Sequence, residues 1–361
     1  MITHLELFAG IGGFRRAIDL YGRDCGEITQ CVGFSEIDEY ATKTYKANYD
    51  TNGEVEIGDI VGFTAHDKNL QDLPNFTLLT GGFPCQSFSM MGKKNGFNDI
   101  RGNVFFRIID ILKVKQPPFI LLENVRNLRS HDKGNTFKVV QESLVDAGYK
   151  YFYSDVFNTS NFQLAHTRNR VYIFASRIPM PSGFVFDSES ILKYFNSLTN
   201  KSVMSQQSVL DVLDRVVEPK YYLSETLKPT ILADGSKNFK SKSEINQLIA
   251  RPLTATMVKM HRACQDNYYS DGFINSTDPI KYLEQNSFTK EELAKQRIRK
   301  LTPKEAFALQ GFSSDFVVNA INAKVSNHQL YKQAGNAVSV NTVYAILQYL
   351  FGKYKIGSYV L

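Results

Sequence analysis

At 361 residues, the chain is long enough for a large core and more than one domain, and its 43% hydrophobic and 22% charged content is that of a globular protein. No run approaches the ~18 apolar residues of a membrane span, and the formal charge of +6 suits a polyanionic partner without singling one out. Four cysteines (Cys25, Cys31, Cys85 and Cys264) show neither a disulfide framework nor paired CxxC zinc spacing, and no signal-peptide pattern opens the chain, so a reducing cytoplasm is expected.

In chain order, the first half alternates strands and helices. Apolar runs predict strands over residues 5–8, 31–35, 76–80, 119–122 and 171–175. Amphipathic spacing predicts helices over 13–21, 38–48, 103–115 and 136–147, the third marked by Val104, Ile108, Ile111 and Leu112. Continuous apolar strands between such helices imply a doubly wound, mostly parallel α/β sheet covered on both faces. Its ligands belong beyond the C-terminal strand ends.

After Pro179-Met180-Pro181 the chain turns rich in Ser, Asn, Lys and Tyr to about residue 290, which predicts a second, smaller domain. A helix returns at Thr302-Pro303-Lys304-Glu305, with a capping Thr, Pro in the first turn and Glu three residues after the cap. The last helix, over 341–351, is apolar enough to pack back on the sheet. The expected division is therefore 1–181, then 182–332 with a hinge, then a returning segment 333–361.

Candidate site residues cluster at the predicted strand ends. Phe8-Ala9-Gly10-Ile11-Gly12-Gly13 forms a Gly-rich turn between strand and helix, where backbone N–H groups can approach a ligand. A dinucleotide fingerprint needs a third glycine where this chain has Arg15, so an adenosyl ligand without pyrophosphate is favoured over NAD or FAD. A plain tight turn fits the loop equally well when it is taken alone. Glu36 ends the second strand, placed to accept from ribose hydroxyls, although a solvated acid fits the same position. Asp59, beside Ile60, is a similar candidate for an adenine amino group.

The sharpest signal is Gly81-Gly82-Phe83-Pro84-Cys85-Gln86-Ser87-Phe88-Ser89. A lone cysteine is usually a small buried hydrophobe. This one lies in a Gly- and Pro-rich turn at the ligand-facing edge, which suits the presentation of a nucleophile. Glu123 in Leu121-Leu122-Glu123-Asn124-Val125 ends the neighbouring strand. Arg168 and Arg170 alternate at the start of another. His261 with Cys264 lacks a second ligand pair, so no metal is expected.

Taken together and in this order, Phe-Ala-Gly-Ile-Gly-Gly, Phe-Pro-Cys-Gln-x-Phe-Ser, Glu-Asn-Val, Arg-x-Arg and the late Gly335-Asn336-Ala337-Val338 closely resemble the cytosine-5 DNA methyltransferase family. The resemblance spans residues 7 to about 346 and is thinnest over 182–250. It implies a Rossmann-like fold dependent on S-adenosylmethionine, with a smaller DNA target-recognition domain. It implies that Cys85 adds to C6 of cytosine, that Glu123 donates a proton at N3, and that Arg168 and Arg170 hold the base carbonyl and adjacent phosphate. Phe8 would pack on the adenine, with Gly10 and Gly12 lining the methionine portion and Ile11 and Gly13 in the same loop. Glu36 would bind the ribose, Asp59 and Ile60 the adenine edge, and Asn336 the cofactor carboxylate. The family often has an aromatic after the acid where this chain has Ile37, so adenine stacking there would become aliphatic packing. Before Arg168 it usually has Gly-x-Pro-Gln, where this chain has Gln163-Leu164-Ala165-His166.

The resemblance also implies double-stranded DNA as partner and a flipped target base. Residues 86–101 look like the loop that closes over that base. Gln86, Ser89, Met91, Lys93 and Arg101 are DNA-contact candidates there, with Ser89, Met90 or Met91 filling the vacated stack. Arg251 and Thr254 in Arg251-Pro252-Leu253-Thr254-Ala255-Thr256, and the basic stretch 237–242, are further candidates. A host-protecting role beside a cognate restriction endonuclease would make that nuclease a functional partner of a monomeric enzyme. Two other readings compete. A tRNA cytosine-5 methyltransferase usually carries Cys-Phe-Thr, which this chain lacks. A catalytically inactive DNA-binding module should have lost the cysteine, the glutamate or the glycines, and all are present.

Overall fold

The computed structural model describes residues 1–84, 104–235 and 241–360. The chain forms two units, Met1–Asn158 with Asn169–Val203 and Val338–Leu361, and Thr159–Arg168 with Met204–Ala337.

The first unit is built on seven strands in the order β3-β2-β1-β4-β5-β7-β6. They are β1 (Ile2–Leu7), β2 (Thr29–Ser35), β3 (Val55–Glu56), β4 (Leu78–Gly82), β5 (Phe119–Val125), β6 (Tyr151–Asn158) and β7 (Asn169–Ser176). β1 to β5 pair in parallel. Leu5, Leu79, Ile120, Leu122 and Ile173 are fully buried in the core, together with Phe105, Ile108, Ile111 and Leu112 of helix Val104–Lys115. These are the continuous apolar runs expected of strands covered on both faces. The strand order reverses between β1 and β4, a topological switch point that leaves a crevice outside their carboxyl ends.

Two features depart from the sequence-based expectation. β7 runs antiparallel to both β5 and β6, where residues 171–175 were expected to extend a parallel sheet. Residues 159–168 alone link β6 to β7, too short a link for a parallel crossover, which takes a dozen residues or more. β6 itself has no clear apolar signature because all but one of its residues are only half-buried.

The first unit also runs past Pro181 to Val203. Helix Ser188–Ser197 buries Ile191 and Phe195 within it, and Phe195 meets Tyr344 edge-on at 6.4 Å. The last helix, Val340–Leu347, packs in the same unit, and Phe351 beyond it meets Phe119 of β5 at 5.7 Å.

The second unit centres on a small cluster of Leu223, Ile231, Leu232, Ile245, Ala263, Tyr268 and Ile298. Its strands β8 (Tyr268–Ser270) and β9 (Ile298–Lys300) pair antiparallel. Helix Pro303–Ala308 follows with the predicted capping box, Thr302 accepting from Glu305 N–H and Glu305 accepting from Thr302 N–H.

Candidate active site

The turn after β1 is built from left-handed backbone. Phe8, Gly10 and Gly12 have φ of 53°, 56° and 83°, and helix α1 (Gly13–Cys25) starts directly afterwards. A Cβ on Gly12 would lie 2.4 Å from the Tyr49 ring, and one on Gly13 would lie 2.8 Å from the Val338 carbonyl oxygen. Only glycine fits both places. At Gly10, by contrast, an added Cβ meets no protein atom within 4 Å, so the turn leaves open space on that side. Ile11 is buried behind it.

Glu36 ties this turn to the loop after β2. Its Oε2 accepts from Gly10 N–H at 2.7 Å, and its Oε1 accepts from Ile37 N–H at 2.9 Å and Asp38 N–H at 2.8 Å. A carboxylate offers about four acceptor positions, so these three bonds leave one for a ligand hydroxyl. Ile37, two residues beyond β2, is 77% exposed. Asp59 is exposed and caps the short helix Ile60–Thr64, accepting from Val61 N–H at 2.9 Å. Ile60 is buried. An open glycine, a carboxylate with a spare acceptor and an exposed aliphatic face together fit an adenosyl ligand.

The ends of β4 and β5 lie alongside, Gly82 opposite Glu123 in the ladder. Glu123 is 8% exposed, and its Oε1 lies 2.8 Å from Arg170 Nε. A Cβ on Gly82 would lie 3.4 Å from Glu123 Oε2, so the glycine keeps that face of the carboxylate clear. Asn124 Nδ2 donates to the Phe83 carbonyl at 2.8 Å, fastening the segment that leads into Cys85. Sequence reasoning gave Asn124 no role, although it lies inside the Glu-Asn-Val motif.

The Arg-x-Arg pair is divided between two tasks. Arg170 meets Glu123 in the first unit. Arg168, counted with the second unit and 3% exposed, donates through Nη1 to the carbonyls of Leu253 at 3.3 Å and Gly335 at 3.1 Å. Through Nη1 its guanidinium holds two backbone segments together. One of those segments is tight: a Cβ on Gly335 would lie 2.2 Å from the Thr254 carbonyl carbon. Asn336 ends helix Asn327–Asn336 and is exposed.

Arg251 is half-buried, with Nη2 3.4 Å from the Glu244 carbonyl oxygen, and Thr254 lies 3.5 Å from Thr256, hydroxyl to hydroxyl. His261 Nδ1 pairs with Asp266 at 3.1 Å. No cluster of three metal-ligating side chains occurs among the described residues. Cys85, Gln86, Ser89, Met90, Met91, Lys93 and Arg101 lie outside the described residues, as does most of the basic stretch 237–242.

Comparison with known proteins identifies the family and the fold. Residues 2–352 match the model of the family described as C-5 cytosine-specific DNA methylase. The chain is 36% identical over 344 residues to the type II methyltransferase M1.ScrFI of Lactococcus lactis subsp. cremoris, covering 95% of this chain and 76% of that protein. It is 36% identical over 345 residues to the type II methyltransferase M.NgoBI of Neisseria gonorrhoeae, covering 96% and 92%. The solved structure of the Entamoeba histolytica methyltransferase EhMeth shares the fold, with a TM-score of 0.72 at 22% identity over 98% of each chain.

Proposed function

Because the chain belongs to the C-5 cytosine-specific DNA methylase family, we propose that it methylates C5 of a flipped-out cytosine in duplex DNA, using S-adenosylmethionine bound at the glycine turn. The observation that carries this reading is the Glu123–Arg170 pair at the end of β5, beside the β4 end that leads into Cys85. When bound, S-adenosylmethionine supplies an electrophilic methyl group. Gly10, Gly12, Glu36, Ile37 and Asp59 would hold it, with Phe8, Gly13 and Ile60 framing the pocket.

Carbon 5 of cytosine is a weak nucleophile. Addition of the Cys85 thiolate to C6 forms a C–S bond and pushes the ring electrons toward C5 and N3. In its carboxylic acid form Glu123 donates its proton to N3, Arg170 orients the carboxyl, and the proton returns to Glu123 when Cys85 leaves. Once C5 carries the methyl group, loss of its proton to a base restores the ring double bond and expels Cys85. Arg168 acts one step removed, by fixing the backbone at Leu253 and Gly335. The target must leave the stack before any of this, at a cost of a few kcal/mol.

The second unit, with Arg251 and Thr254, is the proposed target-recognition domain. Gln86, Ser89, Met91, Lys93 and Arg101 are the proposed contacts near the flipped base. A monomeric, cytoplasmic enzyme protecting host DNA from a cognate endonuclease fits two relatives named as type II methyltransferases. The test is transfer of labelled methyl groups to mixed-sequence duplex DNA and, separately, to total tRNA. Label recovered as 5-methylcytosine in DNA alone supports the proposal. Label in tRNA, or in neither, overturns it.

A further inference from the structure

Arg15 stands where a dinucleotide-binding loop would carry its third glycine, and the cofactor pocket proposed above does not use it. The structure turns its side chain inward, behind the glycine turn. Its guanidinium donates to Glu54 Oε2 at 3.0 Å, to the Asp50 carbonyl at 2.8 Å and to the Tyr45 hydroxyl at 3.1 Å. It also lies 2.7 Å from Glu54 Oε1 and 4.6 Å from the centre of the Tyr49 ring. The Tyr49 hydroxyl donates to the Gly12 carbonyl at 2.7 Å, and the same ring occupies the space a Gly12 side chain would need. The Arg15 N–H and the Tyr45 hydroxyl both reach the buried Glu6 carboxyl, at 3.4 Å and 3.2 Å. The left-handed turn is therefore gripped from behind by a charged and aromatic brace.

We propose that Tyr49, clamped by Arg15, is a positioning residue that sets S-adenosylmethionine affinity by fixing the backbone of the glycine turn at Gly12. The proposal rests on the reading that this turn holds the methyl donor. Gly12 caps α1 without a side chain of its own, and its carbonyl accepts both from Arg16 N–H of that helix at 2.9 Å and from the Tyr49 hydroxyl, so Tyr49 grips the atom on which the first turn begins. A helix N-terminus presents its N–H groups usefully only when that first turn is fixed in place. The arrangement replaces the open third glycine of a pyrophosphate site with a rigid backing, consistent with a ligand that carries no pyrophosphate.

The test compares equilibrium binding of S-adenosylmethionine to the wild-type chain, Tyr49→Phe and Gly10→Ala. Tyr49→Phe keeps the ring and removes one hydrogen bond, so affinity for the methyl donor should fall about fivefold. Its kcat at saturating donor and its affinity for duplex DNA should stay within about twofold of wild type. Arg15→Lys should show the same split, more strongly, because an ammonium lacks the planar fork with which Arg15 engages Glu54, Asp50 and Tyr45. A merely structural role would lower Tm and leave donor affinity untouched, and that result overturns the proposal. Gly10→Ala checks the underlying reading separately: its Cβ meets no protein atom within 4 Å, and its Tm is read alongside because a side chain at a φ of 56° strains the backbone. If Gly10→Ala loses donor affinity and Tyr49→Phe does not, the brace has no positioning role. If Gly10→Ala binds as wild type, the donor does not sit on this turn at all.

Discussion

Arg170 reaches Glu123 diagonally across the β5–β7 ladder, Nε to Oε1 at 2.8 Å, because Arg170 pairs with Val125 while Glu123 pairs with Tyr172. The antiparallel direction of β7 is what brings the two side chains to one strand end on the same face. Arg170→Ala should lower kcat by about 10²–10³-fold, the usual loss for one preorganised donor, with donor affinity unchanged. Arg170→Lys should recover only part of that, since an ammonium cannot reproduce the guanidinium geometry. Equal turnover by Arg170→Ala and wild type in single-turnover methylation would remove Arg170 from the site.

Glu305 and Arg299 form a buried ion pair in the second unit, with both side chains fully shielded from solvent. Arg299 contacts both carboxylate oxygens, at 2.7 Å and 2.9 Å, and also reaches the Asp214 carbonyl at 2.7 Å. Removing one partner strands a buried charge. Glu305→Leu should cost about 3–5 kcal/mol, a fall of roughly 6–20 °C in Tm. The double replacement Arg299→Met with Glu305→Leu should be milder than Glu305→Leu alone. Calorimetric melting of the single and double variants checks this.

His4 and Glu6 lie on β1 and are both fully buried. Burial, aided by the Arg15 charge, lowers His4 from 6.5 to about 3, so it stays neutral in the fold. Its stabilising contribution is present above pH 6.5 and is lost as pH falls through 3. Burial raises Glu6 from 4.5 to about 8, opposed by Arg15. Its contribution is present below pH 4.5 and is lost as pH rises through 8. Urea unfolding against pH should therefore show His4→Leu flattening the acid limb and Glu6→Gln flattening the neutral-to-alkaline limb. Limbs that run parallel to wild type in both variants would contradict these assignments.

Gly335 passes so close to Thr254 that any side chain must displace backbone. Gly335→Ala should destabilise by several times the ~1 kcal/mol that a helix glycine usually gains on that change. The crossing also receives Arg168, so Arg168→Ala should share the phenotype. Both variants should lose DNA affinity before they lose affinity for the methyl donor, as gel-shift and donor-binding titrations can show.

The parts of this fold legible in the sequence were those written in local pattern. The apolar runs of β4 and β5, the glycine turn after β1 and the capping box at Thr302 each follow from neighbouring residues. β6 was not legible because a half-buried edge strand carries no continuous apolar run. The direction of β7 depends on its partners and not on its own residues. Arg15, Tyr49 and Asn124 act through residues 30 or more positions away, such as Tyr49 on Gly12 and Asn124 on Phe83. Arg168 looked like a twin of Arg170, and only the carbonyls of Leu253 and Gly335 distinguish its task.

The central claim, covalent catalysis by Cys85 at this site, is tested most directly with duplex DNA in which 5-fluorocytosine replaces cytosine. Fluorine at C5 cannot leave as a cation, so addition and methyl transfer proceed and elimination stops. With S-adenosylmethionine present, mass spectrometry of the digested complex should find the DNA attached to the peptide containing Cys85, and Cys85→Ala should form no adduct. An adduct on another residue, or product formation by Cys85→Ala on ordinary DNA, would contradict the account.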